Sequence, residues 1–467
     1  MQGSKGESPP MAKTDRKTFQ SRSNELLTTV RGQIARGDYK PGEFLPAETA
    51  LAAEFQLSKN SVRLVLEKLV NEGLLLKIPR VGNQVTAPSA QTVIRIGLYP
   101  SMQDELPLDR LLEKFREKHP LIRVETMTLP YAHADHIRQL LEMGVVDAAT
   151  MNYTDYLHFK EEGMLGLLEP FTPESDTYPF LTSLFSDEEA RLRVRPLIFS
   201  PVILCYNKEH FASRRVLEPD GGWTWQDLRG ALSRLTGLNR FGLYFHLSST
   251  NRWPLFLLQC GARFVRDRTG AVVPAGEGMM RGIRFLRELM HKDGLFPLAM
   301  SFTYQDAEKL FLEQKVSVIL TTYYRLNQLV GAGFPYDIAQ VPRTDNQRTL
   351  LLSTGIAVSA ASRSKEAAVL FSDFLVSEEA QASIRHQSFS LPASKWVTET
   401  VACELPDKPA RLELHRELIP NYATHRDLQL TMREVEVLGT CLEQYFSRFV
   451  EDDGLIALFN HQLLQEG

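Results

Sequence analysis

Ser58, Lys59, Asn60, Ser61 and Arg63 crowd one short stretch of the 467-residue chain. The chemistry open to such a set is recognition of duplex DNA. Arg pairs bidentately with guanine, Asn with adenine, and Ser or Lys anchors phosphates. Arg80 and Gly82, in a turn further along, extend the candidate set. A second set is scattered: Asn152, Asp155, Asn251, Trp253, Tyr323, Tyr324, Arg325 and Thr354. It combines donors and acceptors with aromatic planes, the combination that holds a small hydroxylated ligand. Each set has a plainer alternative. A polar helix face is often only solvated, and a single aromatic is more often core than ligand platform. The elements that carry these residues decide between the readings.

The first set lies in residues 45–82, LPAETALAAEFQLSKNSVRLVLEKLVNEGLLLKIPRVG. Leu51, Ala52 and Phe55 share one face of a short helical run after Pro46. Gln56-Leu57 breaks that run, and Ser58 stands as the N-cap of a second helix. Val62, Val65, Leu66 and Leu69 recur at i, i+3, i+4 and i+7 as a buried stripe. The polar set points mostly away from it. Gly73 closes the helix. Leu74–Ile78 and Gln84–Thr86 read as strands joined by a turn at Pro79–Gly82. Upstream, Asn24–Arg36 is a helix whose Leu26, Leu27, Val30 and Ile34 face the same core. Helix, tight turn, helix and hairpin is the layout of a winged helix-turn-helix, whose second helix touches bases with its first turns.

This stretch resembles the GntR family of bacterial transcription regulators. The resemblance is carried by Ile34, Gly37, Pro41-Gly42, Leu45-Pro46, Glu48, Leu51-Ala52, Phe55, Ser58, Val62-Arg63, Leu69, Gly73-Leu74, Gly82 and Val85. It implies double-stranded operator DNA as a partner. Thr49, Lys59 and Asn83 stand where the family usually has a basic residue, an Arg and a Thr.

Composition sets the frame. Apolar residues make up 43 % and charged residues 24 %, ordinary for a globular chain with room for two or three domains. The net charge of −4 argues against a general nucleic-acid binder. Residues 16–80, however, hold 11 Lys+Arg against 7 Asp+Glu, a local +4, so the remainder carries −8. A basic module on an acidic body fits localised DNA contact. The cysteines, Cys205, Cys260, Cys403 and Cys441, are widely spaced and suggest a reduced, cytoplasmic chain. No apolar run is long enough for a membrane span, and the first residues lack the apolar core of an export signal.

In order, residues 1–17 read as a disordered extension, 18–87 as the winged helix-turn-helix, 88–93 as a short linker, and 94–467 as an α/β body. Val93–Tyr99, Leu106–His119 and Ile122–Leu129 form a strand–helix–strand unit, which implies a parallel sheet. Further strands are expected at Gly144–Thr150, Pro201–Tyr206, Phe241–Phe245, Val316–Thr321, Tyr336–Val341 and Thr354–Ser359. A body this long divides into two lobes.

The body resembles the family 1 extracellular solute-binding proteins, the carbohydrate-binding subunits of ABC importers. The matching stretches are Leu111–Glu125, Pro201–Phe211 with its Tyr-Asn-Lys-x-x-Phe, Thr224–Leu228, Glu308–Thr322 and above all Gly355–Ala393. Gln314 replaces a usual Gly. The resemblance implies a hinge and an interlobe cleft for a mono- or oligosaccharide. The scattered set then falls at strand ends, where open α/β sheets bind ligands, with Tyr323, Tyr324 and Arg325 as the leading cluster.

The expected fold is therefore an α+β winged helix-turn-helix followed by a two-lobed α/β periplasmic-binding-protein-like (type II) domain. The expected function is a cytoplasmic, ligand-responsive regulator, a homodimer on operator DNA, with a carbohydrate effector. The alternative is the same architecture sensing a non-sugar solute or a protein. No catalytic constellation, cofactor or membrane association is expected. His133 and His136 share a helix face without further metal ligands nearby, and Ser362-x-x-Lys365 sits where a helix begins.

Overall fold

The computed structural model describes residues 16–36, 38–86, 92–129, 134–291, 295–297 and 307–466. Most of the expected N-terminal extension and linker, and His133, lie outside them. The described parts of those two segments are already ordered elements: Arg16 and Lys17 open a helix, and Thr92 and Val93 open a strand. The chain forms two compact units. One is built on the segment ending at Ile94 together with Leu112–Glu125, the other on Arg95–Leu111 and Thr126 onward.

In the first unit, helices Arg16–Arg36 (α1), Glu48–Glu54 (α2) and Lys59–Asn71 (α3) precede a hairpin of Leu75–Ile78 (β1) and Gly82–Val85 (β2). The strands pair antiparallel, from Leu75 opposite Val85 to Ile78 opposite Gly82. Leu45 and Val85 donate backbone N–H bonds to the Asn83 and Glu43 carbonyls at 3.0 and 2.8 Å, which attaches the segment before α2 to the free edge of β2. A 13-residue helix such as α3 is marginal by itself in water. It is held by its stripe: Val62, Val65, Leu66 and Leu69 join Leu26 and Val30 of α1, Leu51 of α2, and Leu74, Leu75 and Val85 in one core. Each such side chain stabilises the unit by about 1.5–3 kcal/mol through burial. Arg31 of α1 adds a 2.6 Å ion pair to Glu72 beyond the end of α3.

The second unit carries a mixed sheet. Its strands include Thr92–Leu98 (β3, which begins in the first unit), Ala148–Asn152 (β4), Arg195–Asn207 (β5), Phe241–Tyr244 (β6), Val316–Thr322 (β7), Tyr336–Ala339 (β8) and Thr349–Val358 (β9). From β3 the order runs β3-β4-β9-β5-β7-β6. β3 and β4 are parallel, as are β7 and β6. β9 is antiparallel to β4 and to β5, and β5 is antiparallel to β7 and β8. The sheet is therefore not parallel throughout, because β5 and β9 run against their neighbours.

β5 ties the sheet together. Arg195–Pro201 pairs with β9, and Val202–Asn207 pairs with β7 and β8. All thirteen of its residues are buried. With both faces covered it shows no period-two alternation, and Pro201 interrupts its pattern midway, so the sequence reading found only the second half. β9 likewise begins at Thr349 rather than Thr354, and β4 lies at Ala148–Asn152 rather than Gly144–Thr150, because Gly144 takes a left-handed turn at φ +65°.

Candidate functional site

The exposed polar face of α3 is set by its cap. The Ser58 Oγ accepts the Ser61 N–H at 3.1 Å and lies 2.6 Å from the Ser61 Oγ. Ser61 is thereby turned inward and buried, so its hydroxyl is tied to the cap rather than offered outward. Lys59, Asn60 and Arg63 are exposed. Arg63 is already engaged: its Nη2 lies 2.9 Å from Glu48 Oε2, and Nε lies 3.4 Å from Oε1. Hydrogen bonding to Glu48 raises its pKa above the ordinary value. Arg80 is exposed at the hairpin tip with φ +66°. Gly82 follows at φ +148°, a conformation that side-chain-bearing residues rarely adopt. The result is an exposed Lys-Asn-Arg face on the first turns of α3, beside a hairpin whose tip carries an arginine.

The second unit contains a cavity of about 300 Å³. Its wall is assembled from chain segments distant in sequence. Tyr99–Ser101 follow β3, and the short helix Met102–Glu105 brings Glu105. Asn152, at the end of β4, caps the helix Tyr153–Glu161, its Oδ1 accepting the Asp155 N–H at 2.8 Å and the Thr154 hydroxyl at 2.7 Å. Leu351–Thr354 of β9 form another side, with Thr354 directly opposite Asn152 in the ladder. Tyr324 comes from the turn of helix after β7, Asn251 from a loop, and His425 from a turn capped by Thr424 and Asp427.

Many of the wall's polar groups are satisfied internally. The Tyr99 hydroxyl donates to Asp155 and accepts the Asn152 N–H at 3.1 Å. Burial, and then Asp155, raise its pKa. The Tyr324 hydroxyl lies 3.2 Å from the carbonyls of Ile198 and Leu352. His425 is fully buried; its Nε2 lies 2.9 Å from the Thr250 carbonyl, which makes that nitrogen the protonated one, while Nδ1 has no partner. Burial lowers its pKa, so the ring is neutral and Nδ1 is an acceptor. Glu105 is buried, and burial raises its pKa from 4.5 to about 7, against a hydrogen bond from Ser101 and the charge of Arg325.

The expected ligand set divides. Asn152, Asn251, Tyr324 and Thr354 line this one cavity. Asp155 stands behind the wall as the acceptor for Tyr99. Tyr323 is fully buried, its hydroxyl donating to the Leu412 carbonyl at 2.9 Å and accepting the His415 N–H at 3.0 Å, so it is structural where a ligand contact was expected. Trp253 is 1 % exposed and packs against Gly439, again core rather than platform. Arg325 is held by Glu308, its Nε and Nη2 each 3.2 Å from Oε2, and is not in the wall. A strand end specifies which edge of the sheet a residue occupies, not which side of the following turn it faces; that is why half the set fell behind the wall. Glu105 and His425 were missed. Glu105 had a weak signal, an acid in the short segment that follows a strand end. His425 had none, since its partner Thr250 is 175 residues away. No group of three His, Cys, Asp or Glu is placed to hold a metal among the described residues.

Residues 99–382 match the bacterial extracellular solute-binding protein family, and residues 23–85 match the bacterial regulatory proteins of the gntR family. Residues 23–85 cover α2, α3 and the hairpin, and 99–382 cover most of the cavity wall. The chain is 43 % identical over 61 residues to the mannosyl-D-glycerate transport/metabolism system repressor MngR of Escherichia coli, covering 13 % of this chain and 25 % of that protein. It is 27 % identical over 145 residues to the galactooligosaccharide-binding protein of Bacillus subtilis, covering 29 % and 34 %. The chain thus spans about a quarter to a third of the length of these curated relatives. Among solved structures it resembles the ABC substrate-binding protein Lmo0181 of Listeria monocytogenes in complex with cycloalternan, with TM-score 0.67, 18 % identity and coverage of 80 % of this chain and 99 % of that one. It also resembles maltose-bound MalE3 of T. maritima, with TM-score 0.68, 16 % identity and coverage of 80 % and 100 %. At these identities the likeness establishes the two-lobed solute-binding fold. The chain belongs to the bacterial extracellular solute-binding protein family, and it carries that fold behind an N-terminal regulatory domain of the gntR family.

Proposed function

We propose that this protein is a cytoplasmic transcription regulator whose operator binding is set by a sugar held in the second unit's cavity. The observation that carries the reading is the presence, on one polypeptide, of an exposed Lys-Asn-Arg helix face in a gntR-family domain and a cavity lined by hydrogen-bonding groups. Lys59, Asn60 and Arg63 on α3, with Arg80 at the hairpin tip, supply base and phosphate contacts. One such module reads few base pairs, so a homodimer on paired half-sites provides the specificity. The relatives' names point the same way: one is the repressor of a mannosyl-D-glycerate system, the other a galactooligosaccharide-binding protein.

In this reading the sugar acts by binding one arrangement of the two lobes better than another. That differential affinity is what moves an equilibrium. A coupling of about 1–3 kcal/mol shifts DNA affinity roughly 5- to 150-fold. The test is fluorescence anisotropy of the full chain on its operator, selected from random DNA, at fixed salt with and without each member of a mono- and oligosaccharide panel. At least one sugar is expected to shift the operator Kd by about fivefold or more, the lower end of that range. An operator Kd that no bound sugar alters sinks the regulatory reading, and absence of any selected DNA sequence sinks the DNA-binding one.

A further inference from the structure

We propose that the cavity takes an amino sugar of monosaccharide size, its protonated amine seated on Glu105. The proposal rests on the sugar-binding reading above and narrows it.

Glu105 and His425 leave buried acceptors for a ligand, while the side-chain amides of Asn152 and Asn251 add N–H donors to the same wall. Tyr99 and Tyr324 have their hydroxyls engaged by protein partners, so they offer ring rather than hydroxyl. Glu105 is the acid in the wall, and among the described residues no Lys or Arg lines it. Arg325, whose charge reaches Glu105, is paired to Glu308. His425 adds a fully buried Nδ1 acceptor without a partner. At Glu105 and at His425 Nδ1 the ligand is therefore called on to donate. A protonated amine supplies three donors and the charge that a buried carboxylate lacks, and tyrosine rings tolerate a cation at their faces. Sugar hydroxyls supply the remaining donors, for His425 and the side-chain oxygen of Asn251. An acidic sugar or a sugar phosphate would bring a second negative charge into a wall that has no cation to meet it.

The size limit comes from the cavity. At about 300 Å³ it stands at the small end of ligand sites, suited to one ring rather than a chain of them.

The full chain is titrated by calorimetry with glucose, galactose and mannose, their 2-amino-2-deoxy forms, their N-acetyl forms and their 6-phosphates. The same panel is run on Glu105→Gln and Glu105→Asp, with melting temperatures to confirm folding. One amino sugar is expected to bind at least about tenfold more tightly than its parent hexose and its N-acetyl form. Glu105→Gln is expected to erase that preference and Glu105→Asp to retain part of it. Equal binding of amino sugar and parent hexose, a preference for the phosphate, or an amino-sugar preference that survives in Glu105→Gln overturns the amine assignment and leaves the sugar-binding reading standing. If no member of the panel binds, the amino-sugar assignment falls, and the sugar-binding reading is decided by the wider mono- and oligosaccharide panel.

Discussion

The guanidinium of Arg63 is clasped by the carboxylate of Glu48, Nη2 to Oε2 at 2.9 Å, across the break between α2 and α3. Half of the Arg63 side chain remains exposed. An exposed pair of this kind adds little to stability. Its effect is directional: it holds the arginine fork in one orientation beside Asn60 and Lys59. Arg63→Ala is therefore expected to weaken operator binding about tenfold or more at fixed salt, with almost no change in melting temperature. Anisotropy titration alongside a thermal melt separates the two effects. Unchanged DNA affinity would remove Arg63 from the DNA-reading face.

Gly355 marks the place where β9 changes register against β5, one residue past Thr354 of the cavity wall. A Cβ there would sit 2.3 Å from the Arg195 carbonyl oxygen and 2.7 Å from Val194 Cγ1. The nearest obstacle is backbone, which cannot rotate away. Gly355→Ala is expected to destabilise the second unit by about 1–3 kcal/mol, read from urea denaturation. Wild-type stability in that variant would mean that the two strands part easily.

Glu105 titrates near 7 in the folded chain and at its ordinary 4.5 when unfolded. Between those values the folded state holds the extra proton, so stability is greatest below about pH 4.5 for this group and falls as pH rises through 7. The shift corresponds to about 3 kcal/mol lost by pH 8. Glu105→Gln removes the titrating group. Its melting temperature, relative to the parent, is expected to rise progressively from pH 5 to pH 8 in sugar-free buffer. A difference between the two proteins that does not vary with pH would show that Glu105 does not titrate in this range.

Tyr323 joins two buried backbone groups, the Leu412 carbonyl and the His415 N–H. Tyr323→Phe keeps the ring and leaves both without their partner. The expected result is a loss of about 1–3 kcal/mol in stability, measured by denaturant titration, with sugar affinity unchanged once folding is secured at low temperature. A loss of sugar binding without loss of stability would return Tyr323 to the ligand site.

What was legible in the sequence is what is encoded over a few residues. The Ser58 cap acts over three positions and the Val62–Leu69 stripe over seven, so α3 and its polar face were readable before any coordinates. The same holds for the strand ends that carry Asn152 and Tyr324, since each strand announces itself by its own run of apolar residues, whereas Thr354 lies inside β9. Tertiary structure decided everything that depends on two distant segments meeting. It turned Ser61 inward and gave Arg63 to Glu48. It extended β5 back to Arg195, because burial on both faces erases the alternation by which a strand is recognised. It placed Tyr323 and Trp253 in the core, and it brought His425, held by Thr250, to the same wall as Glu105. A local pattern fixes a residue's secondary structure through near neighbours, whereas burial and hydrogen-bond partners are set by whichever segment packs against it, and no spacing along the chain records that.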